Sequence, residues 1–210
     1  MNQISTANRQ ASSVKSYDIY LVGVGGQGVL TIGDLLAEAA LESGVAVNFY
    51  PTKGMAQRGG FVKAQLRLGR EMVGPQIPIK GADLVIAMEL SEALRAVKFV
   101  RPEGEFLLFG HVWQPTAVLL GKAPYPTREQ VQEQVGNAGA LLRYLDPHAL
   151  PVYDGAPVAA NVYVLGAALG ATGLRDVLDP ALVAGLVQGR WKRGAGRNRC
   201  AFQAGLEALT

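Results

Sequence analysis

Gly23, Gly25 and Gly28 stand in the spacing G-x-G-x-x-G within "GVGGQGVL", residues 23–30. Glycines between a strand and a helix let the backbone approach a phosphate, and the free N–H groups at the helix start favour an anion. A nicotinamide coenzyme would also need an Asp or Glu about 20 residues later to hold its ribose. The chain offers Asn48, Phe49, Tyr50 and Pro51 there, and no acid before Glu71. No arginine follows the second strand at once to take a 2′-phosphate; Lys53 is the nearest cation. A nicotinamide dehydrogenase is therefore disfavoured. Two uses of the turn stay open: binding a phosphate or other anion, or serving strand–helix packing or an interface.

A second group lies in "YPTKGMAQRGGFVKAQLRLG", residues 50–69. The stretch reads as a long loop after the second strand, carrying Lys53, Gln57 and Arg58 to the edge where the glycine turn emerges. Arg58 beside Gly59 and Gly60 suits a bidentate anion contact with close backbone approach. The alternative is a flexible loop folded over the sheet edge. Glu89 ends another strand at the same edge, where it faces a ligand or caps the helix that Ser91 and Glu92 begin. Asn161 falls within an apolar helix, and a buried amide needs a partner, for which a loop carbonyl is preferred over a ligand. His111 and His148 are far apart without metal spacing, and Cys200 reads as a core residue. Trp113 and Trp191 fit an interface or the core. Arg190, Lys192, Arg193, Arg197 and Arg199 form a basic cluster, either solvated or facing an acidic partner surface. No residue receives a catalytic or metal-ligating role.

The elements that position these residues read as α/β. "YDIYLVGV" is a strand, Val29, Ile32, Leu36, Ala39 and Ala40 recur at helical spacing after it, and "VAVNFY" is a second strand. In "FVKAQLRL" strict alternation predicts an antiparallel strand with one wet face, turning at Gly69-Arg70 into a short "EMV" strand. "GADLVIAM" and "GEFLLFG" read as buried strands, with a helix between them. Thr127 and Gln130 make a capping box for a helix whose Val131, Val135, Ala138, Leu142 and Leu145 share one face. "APVAANVYVLGAALGATG" predicts a buried helix, Asp179 and Pro180 open another, and "RCAFQAGLEAL" forms the last. The expected architecture is a three-layer α/β/α, Rossmann-like fold with a mixed, mostly parallel sheet. Residues 17–210 make one domain behind a flexible polar arm, 1–16.

Composition narrows the function classes. The net charge of +3 lacks the dense basic stripe of a nucleic-acid binder. No apolar run reaches the roughly 18 residues of a membrane span. The first residues lack a secretory signal, so a cytoplasmic location is expected. One cysteine excludes an iron–sulfur cluster held by this chain alone, since such clusters take about four.

"GVGGQGVL", "GMAQRGG", "GADLVIAMELSEALR" and "NVYVLGAAL" follow in the order and spacing of the gamma-type domain of 2-oxoacid:ferredoxin oxidoreductases. The chain resembles that family over about residues 17–207, and "RNRCAFQAG" is similar to its closing Asn–Ala–Gly pattern. The Gln-Arg-Gly-Gly loop is most similar to the indolepyruvate type, in which this domain is the separate small beta subunit. Residues 146–158 depart from the family pattern. The resemblance implies a non-redox subunit, inert alone, of an enzyme that decarboxylates a 2-oxoacid oxidatively to an acyl-coenzyme A. It implies a large partner subunit holding thiamine diphosphate, magnesium and iron–sulfur clusters, with ferredoxin accepting electrons. It implies further that Gly25, Gly26, Gln27, Gly28, Lys53, Gln57, Arg58, Gly59, Gly60 and Glu89 face the partner or coenzyme A. An isolated subunit would leave apolar surface uncovered and is expected to self-associate. The alternative function is a stand-alone α/β protein binding a nucleotide or phosphorylated ligand.

Overall fold

Tyr17, Ile19 and Leu21 point to one side of the first strand and Tyr20 and Val22 to the other, dividing the apolar residues between two cores. The computed structural model describes residues 15–53 and 59–209. The arm expected over 1–16 therefore lies, up to residue 14, outside the described residues, as do Gln57 and Arg58.

The elements run β1 (Tyr17–Val24), α1 (Val29–Glu42), β2 (Val47–Lys53), β3 (Phe61–Leu68), β4 (Ala82–Ala87), α2 (Leu90–Ala96) and β5 (Val100–Phe109). A short α3 (Thr116–Leu119) leads to α4 (Arg128–Asn137), β6 (Leu141–Leu145) and the small hairpin β7 (Val152–Tyr153) and β8 (Ala156–Pro157). Three helices close the chain: α5 (Ala160–Ala171), α6 (Pro180–Arg190) and α7 (Ala195–Glu207). The main sheet has the order β2-β3-β1-β4-β5-β6. β3 is antiparallel to both β2 and β1, and the other pairs are parallel. One core lies between the sheet and α1, α5, α6 and α7, and the other between the sheet and α2 and α4. The expected mixed three-layer architecture is the observed one.

Three local expectations fail. The helix predicted through Leu145 ends at Asn137, and Leu142 and Leu145 belong to the edge strand β6. Gly139, at φ 74°, stops it: the N–H groups of Gly139 and Ala140 turn back to the carbonyls of Gly136 and Val135, a Schellman closure. The helix predicted from Ala156 starts only at Ala160, because the residues before it form the β7–β8 hairpin.

The third failure concerns β3. Ala64, Leu66 and Leu68 are buried as expected, but the opposite face is not wet, and "EMV" forms no strand. Residues 70–77 lie across that face, their backbone held by side chains. Asn48 Nδ2 donates to the Arg70 carbonyl (2.7 Å), the Tyr50 hydroxyl to that of Val73 (3.2 Å) and Arg67 Nη1 to that of Gly74 (3.2 Å). Gln65 Oε1 accepts the Ile77 N–H (2.7 Å). These bonds satisfy polar groups that a second ladder would otherwise have taken.

Candidate functional site

The turn after β1 needs glycine at Gly26 (φ 101°) and Gly28 (φ 75°), both left-handed. Gln27 locks it. Its Oε1 accepts the Val24 N–H (2.9 Å) and its Nε2 donates to the Met88 carbonyl (2.8 Å), tying the turn to the end of β4. Gly23 leaves the room, since a Cβ there would lie 2.6 Å from Gln27 Oε1. The Gly25 N–H goes to the Gly60 carbonyl (2.8 Å), the Gly59 N–H to that of Gly25 (3.2 Å) and the Gln27 N–H to that of Val24 (3.2 Å). Two of the four expected amides are thus used inside the fold. Those of Gly26 and Gly28, with the first turn of α1, donate to no described residue.

These glycines border a cleft of about 620 Å³, lined also by Met88, Phe109, His111, Trp113, Ala160 and Asn161. Phe109, His111 and Trp113 alternate at the end of β5 and beyond, forming an aromatic wall. The Phe109 and His111 rings lie 6.4 Å apart and nearly parallel, and Trp113 is 6.5 Å from His111. α1 and α5 both start at the cleft, and neither Gly28 nor Ala159 gives its helix a side-chain cap. Glu89, Thr127 and Asp179 do cap α2, α4 and α6. Uncapped first-turn amides and two helix dipoles make the rim electropositive without a formal charge, the electrostatics an anion needs. The described lining contains no carboxylate.

Asn161 is a finding the sequence placed elsewhere. Its amide lines the cleft and makes no hydrogen bond to a described residue, in place of the expected loop carbonyl. It packs so close to Gly28 that a Cβ there would lie 2.5 Å from Asn161 Nδ2. Gly59 is similarly pressed by Trp113, whose Nε1 would lie 2.7 Å from a Cβ. The structure thus joins Gly25, Gly26, Gln27 and Gly28 with Gly59 and Gly60, and sets Lys53 at the end of edge strand β2. Glu89 is wholly buried behind the wall and lines no part of the cleft. Phe109, His111 and Trp113 went unrecognised as a group, although their spacing of two in "FGHVW" was a signal.

Elsewhere, Arg190 pairs with Asp34 (3.3 Å) and Glu38 (3.2 Å), joining α6 to α1, and Arg197 donates to the Pro157 carbonyl. Lys192, Arg193 and Arg199 are exposed. Trp191 and Cys200 are half-buried against the core, and His148 sits on a short turn capped by Asp146. Among the described residues no three His, Cys, Asp or Glu side chains gather as metal ligands, and no helix is long and apolar enough to cross a membrane.

Residues 18–208 match the model of the pyruvate ferredoxin/flavodoxin oxidoreductase family. The chain is 39% identical over 160 residues to indolepyruvate oxidoreductase subunit IorB of Archaeoglobus fulgidus, covering 73% of this chain and 76% of that one. It is 35% identical over 155 residues to the subunit of that name from Thermococcus kodakarensis, with 73% and 77% covered. Among solved structures, the pyruvate oxidoreductase subunit PORC of Thermotoga maritima superposes with a TM-score of 0.65 at 22% identity, covering 92% of this chain and 96% of that one. The 2-oxoglutarate:ferredoxin oxidoreductase of Magnetococcus marinus, solved with 2-oxoglutarate, coenzyme A and succinyl-CoA bound, gives 0.58 at 18% identity, covering 93% of this chain and 32% of that one. These two share the fold, and the family match and the IorB relatives settle the kinship: the chain belongs to the pyruvate ferredoxin/flavodoxin oxidoreductase family.

Proposed function

We propose that this chain is the non-redox small subunit of a cytoplasmic, thiamine-diphosphate-dependent 2-oxoacid:ferredoxin oxidoreductase of the indolepyruvate kind. Its cleft walls the approach of coenzyme A to a thiamine site held by a large partner subunit. With a single cysteine in the chain, the clusters belong to that partner as well. Thiamine diphosphate bound in that partner would supply the decarboxylation chemistry and the clusters an electron path to ferredoxin, while this chain's cleft would hold coenzyme A, the acyl acceptor.

The observation that carries the reading is the meeting of two uncapped helix starts and the Gly26–Gly28 turn on one cleft with an aromatic wall. A diphosphate fits the amides, and an apolar or aromatic moiety fits the wall. Lys53 and Arg58 belong to the stretch that ends at Gly59, beside the wall, and are assigned the remaining phosphate charge.

The test is equilibrium titration of the anoxically assembled complex with coenzyme A. Arg58→Ala should weaken binding about tenfold, the loss of one charge-assisted hydrogen bond. An affinity equal to that of the parent rejects the coenzyme A assignment. A chain that purifies alone from its own cells, without a thiamine- and iron-containing partner, rejects the subunit reading and leaves a stand-alone anion-binding protein.

A further inference from the structure

Glu89 is fully buried, yet capping uses only one of its oxygens. Oε2 accepts from the Ser91 hydroxyl (2.7 Å) and the Glu92 N–H (2.9 Å), which closes the first turn of α2. Oε1 accepts from the Tyr125 hydroxyl and, at 3.4 Å, from the backbone N–H of Trp113, which also donates to the Tyr125 hydroxyl (3.1 Å). The neighbouring Leu90 gives its N–H to the His111 carbonyl (3.1 Å). The start of α2 therefore grips the chain after β5 at His111 and Trp113, the two residues that extend the aromatic wall past Phe109. Trp113 in turn lies against Gly59, whose backbone is bonded to Gly25 in the glycine turn.

We propose that Glu89 is a positioning residue: through Trp113 and Tyr125 it fixes the aromatic wall opposite the glycine turn. A capping role accounts for Oε2 alone; Thr127 and Asp179 cap their helices with no such second arm. A carboxylate suits the place because it accepts on both oxygens from donors on two separate segments, and each bond to a charged acceptor is stronger than a neutral one. The effect on ligand affinity rests on the coenzyme A reading; the placement of Trp113 does not.

The experiment uses the full chain carrying Trp191→Phe, which leaves Trp113 as the sole tryptophan. Acrylamide quenching of its emission is compared with and without Tyr125→Phe and Glu89→Gln. Tyr125→Phe removes the hydroxyl that bridges Trp113 to Glu89, leaving between them only the long 3.4 Å direct bond, and keeps the Oε2 cap intact, so it carries the test if Glu89→Gln fails to fold. Trp113 is already 45% exposed, so its quenching constant should rise by up to about twofold once the bonds that hold its backbone are lost. Quenching equal to the parent's in folded Tyr125→Phe overturns the proposal. In the assembled enzyme the same variant should raise KM for coenzyme A with little change in kcat. If quenching rises and KM stays, the coenzyme A assignment falls and Glu89 keeps its positioning role.

Discussion

Asp18 and Arg67 stand directly opposite each other on β1 and β3 and meet through two parallel bonds, Nε to Oδ1 at 3.1 Å and Nη2 to Oδ2 at 2.9 Å. The Asp18 side chain is 3% exposed and that of Arg67 12%. The same guanidinium reaches the Gly74 and Gln76 carbonyls, so one ion pair holds both the strand register and the segment that crosses it. Arg67→Met should cost about 3–5 kcal/mol, because it leaves a buried charge with only Arg70, 3.6 Å away, as partner. Urea unfolding measures this. Asp18→Asn in the same chain should recover part of the loss.

Gly28→Ala should destabilise the chain by about 1–2 kcal/mol through its left-handed backbone alone, with the displacement of Asn161 added. Pairing it with Asn161→Ala removes the steric part. The cycle should then give a coupling of about 0.5–3 kcal/mol in urea midpoints. Strict additivity would mean that Asn161 does not press on the turn.

Glu92 is held above the ordinary carboxylate range, chiefly by burial, partly offset by Arg95 and reinforced by Glu89. The folded chain therefore keeps a proton that the unfolded chain has released, and stability falls as pH rises from the ordinary glutamate value through the folded one. Glu92→Gln should be matched to the parent at acid pH and gain on it steadily through that window. Thermal midpoints across a pH series check the slope. Tyr20, pushed up to about 12 by burial and then by Glu92, adds a second fall on the alkaline side, which Tyr20→Phe should abolish.

α5 and α7 touch backbone to backbone: a Cβ at Gly205 would strike the Tyr163 carbonyl, and one at Gly166 the Phe202 carbonyl. Gly205→Ala should cost about 1–3 kcal/mol or more by overpacking. Gly185, helical and exposed on α6 with nothing near, is its control. Gly185→Ala should stabilise by about 0.5–1 kcal/mol. Denaturant melts of the two variants should move in opposite directions.

The layers of the fold were legible because periodicity reports burial: Val29, Ile32 and Leu36 mark the inner face of α1, and Ala64, Leu66 and Leu68 that of β3. Periodicity fails where it outlives its element. Val131, Val135, Ala138, Leu142 and Leu145 keep helical spacing across Gly139, although the chain reverses there into a strand. Alternation likewise named the polar face of β3 and could not name what covers it, because Gln65 and Arg67 bond to backbone about seven to twelve residues away in sequence. In the site, the glycines announced themselves by type. The aromatic wall did not, because Phe109, His111 and Trp113 line up only when the start of α2 holds the segment after β5.

The covering of β3 has a dynamic consequence. Residues 70–77 are fastened to β2 and β3 by side chains, while the ladders β2–β3 and β1–β3 run complete beneath them. Ile77 is buried in the second core and pins the end of the cover, so residues 70–76 can lift without breaking a strand pair, a local opening far cheaper than global unfolding. In deuterium exchange the amides of residues 71–74 should label early, while the Ile77 amide, bonded to Gln65 and belonging to a core residue, and the amides of β1 label later. The sheet thus carries, on the face turned away from α1, a cover anchored at Ile77 and loosest over residues 71–75, most of which are exposed.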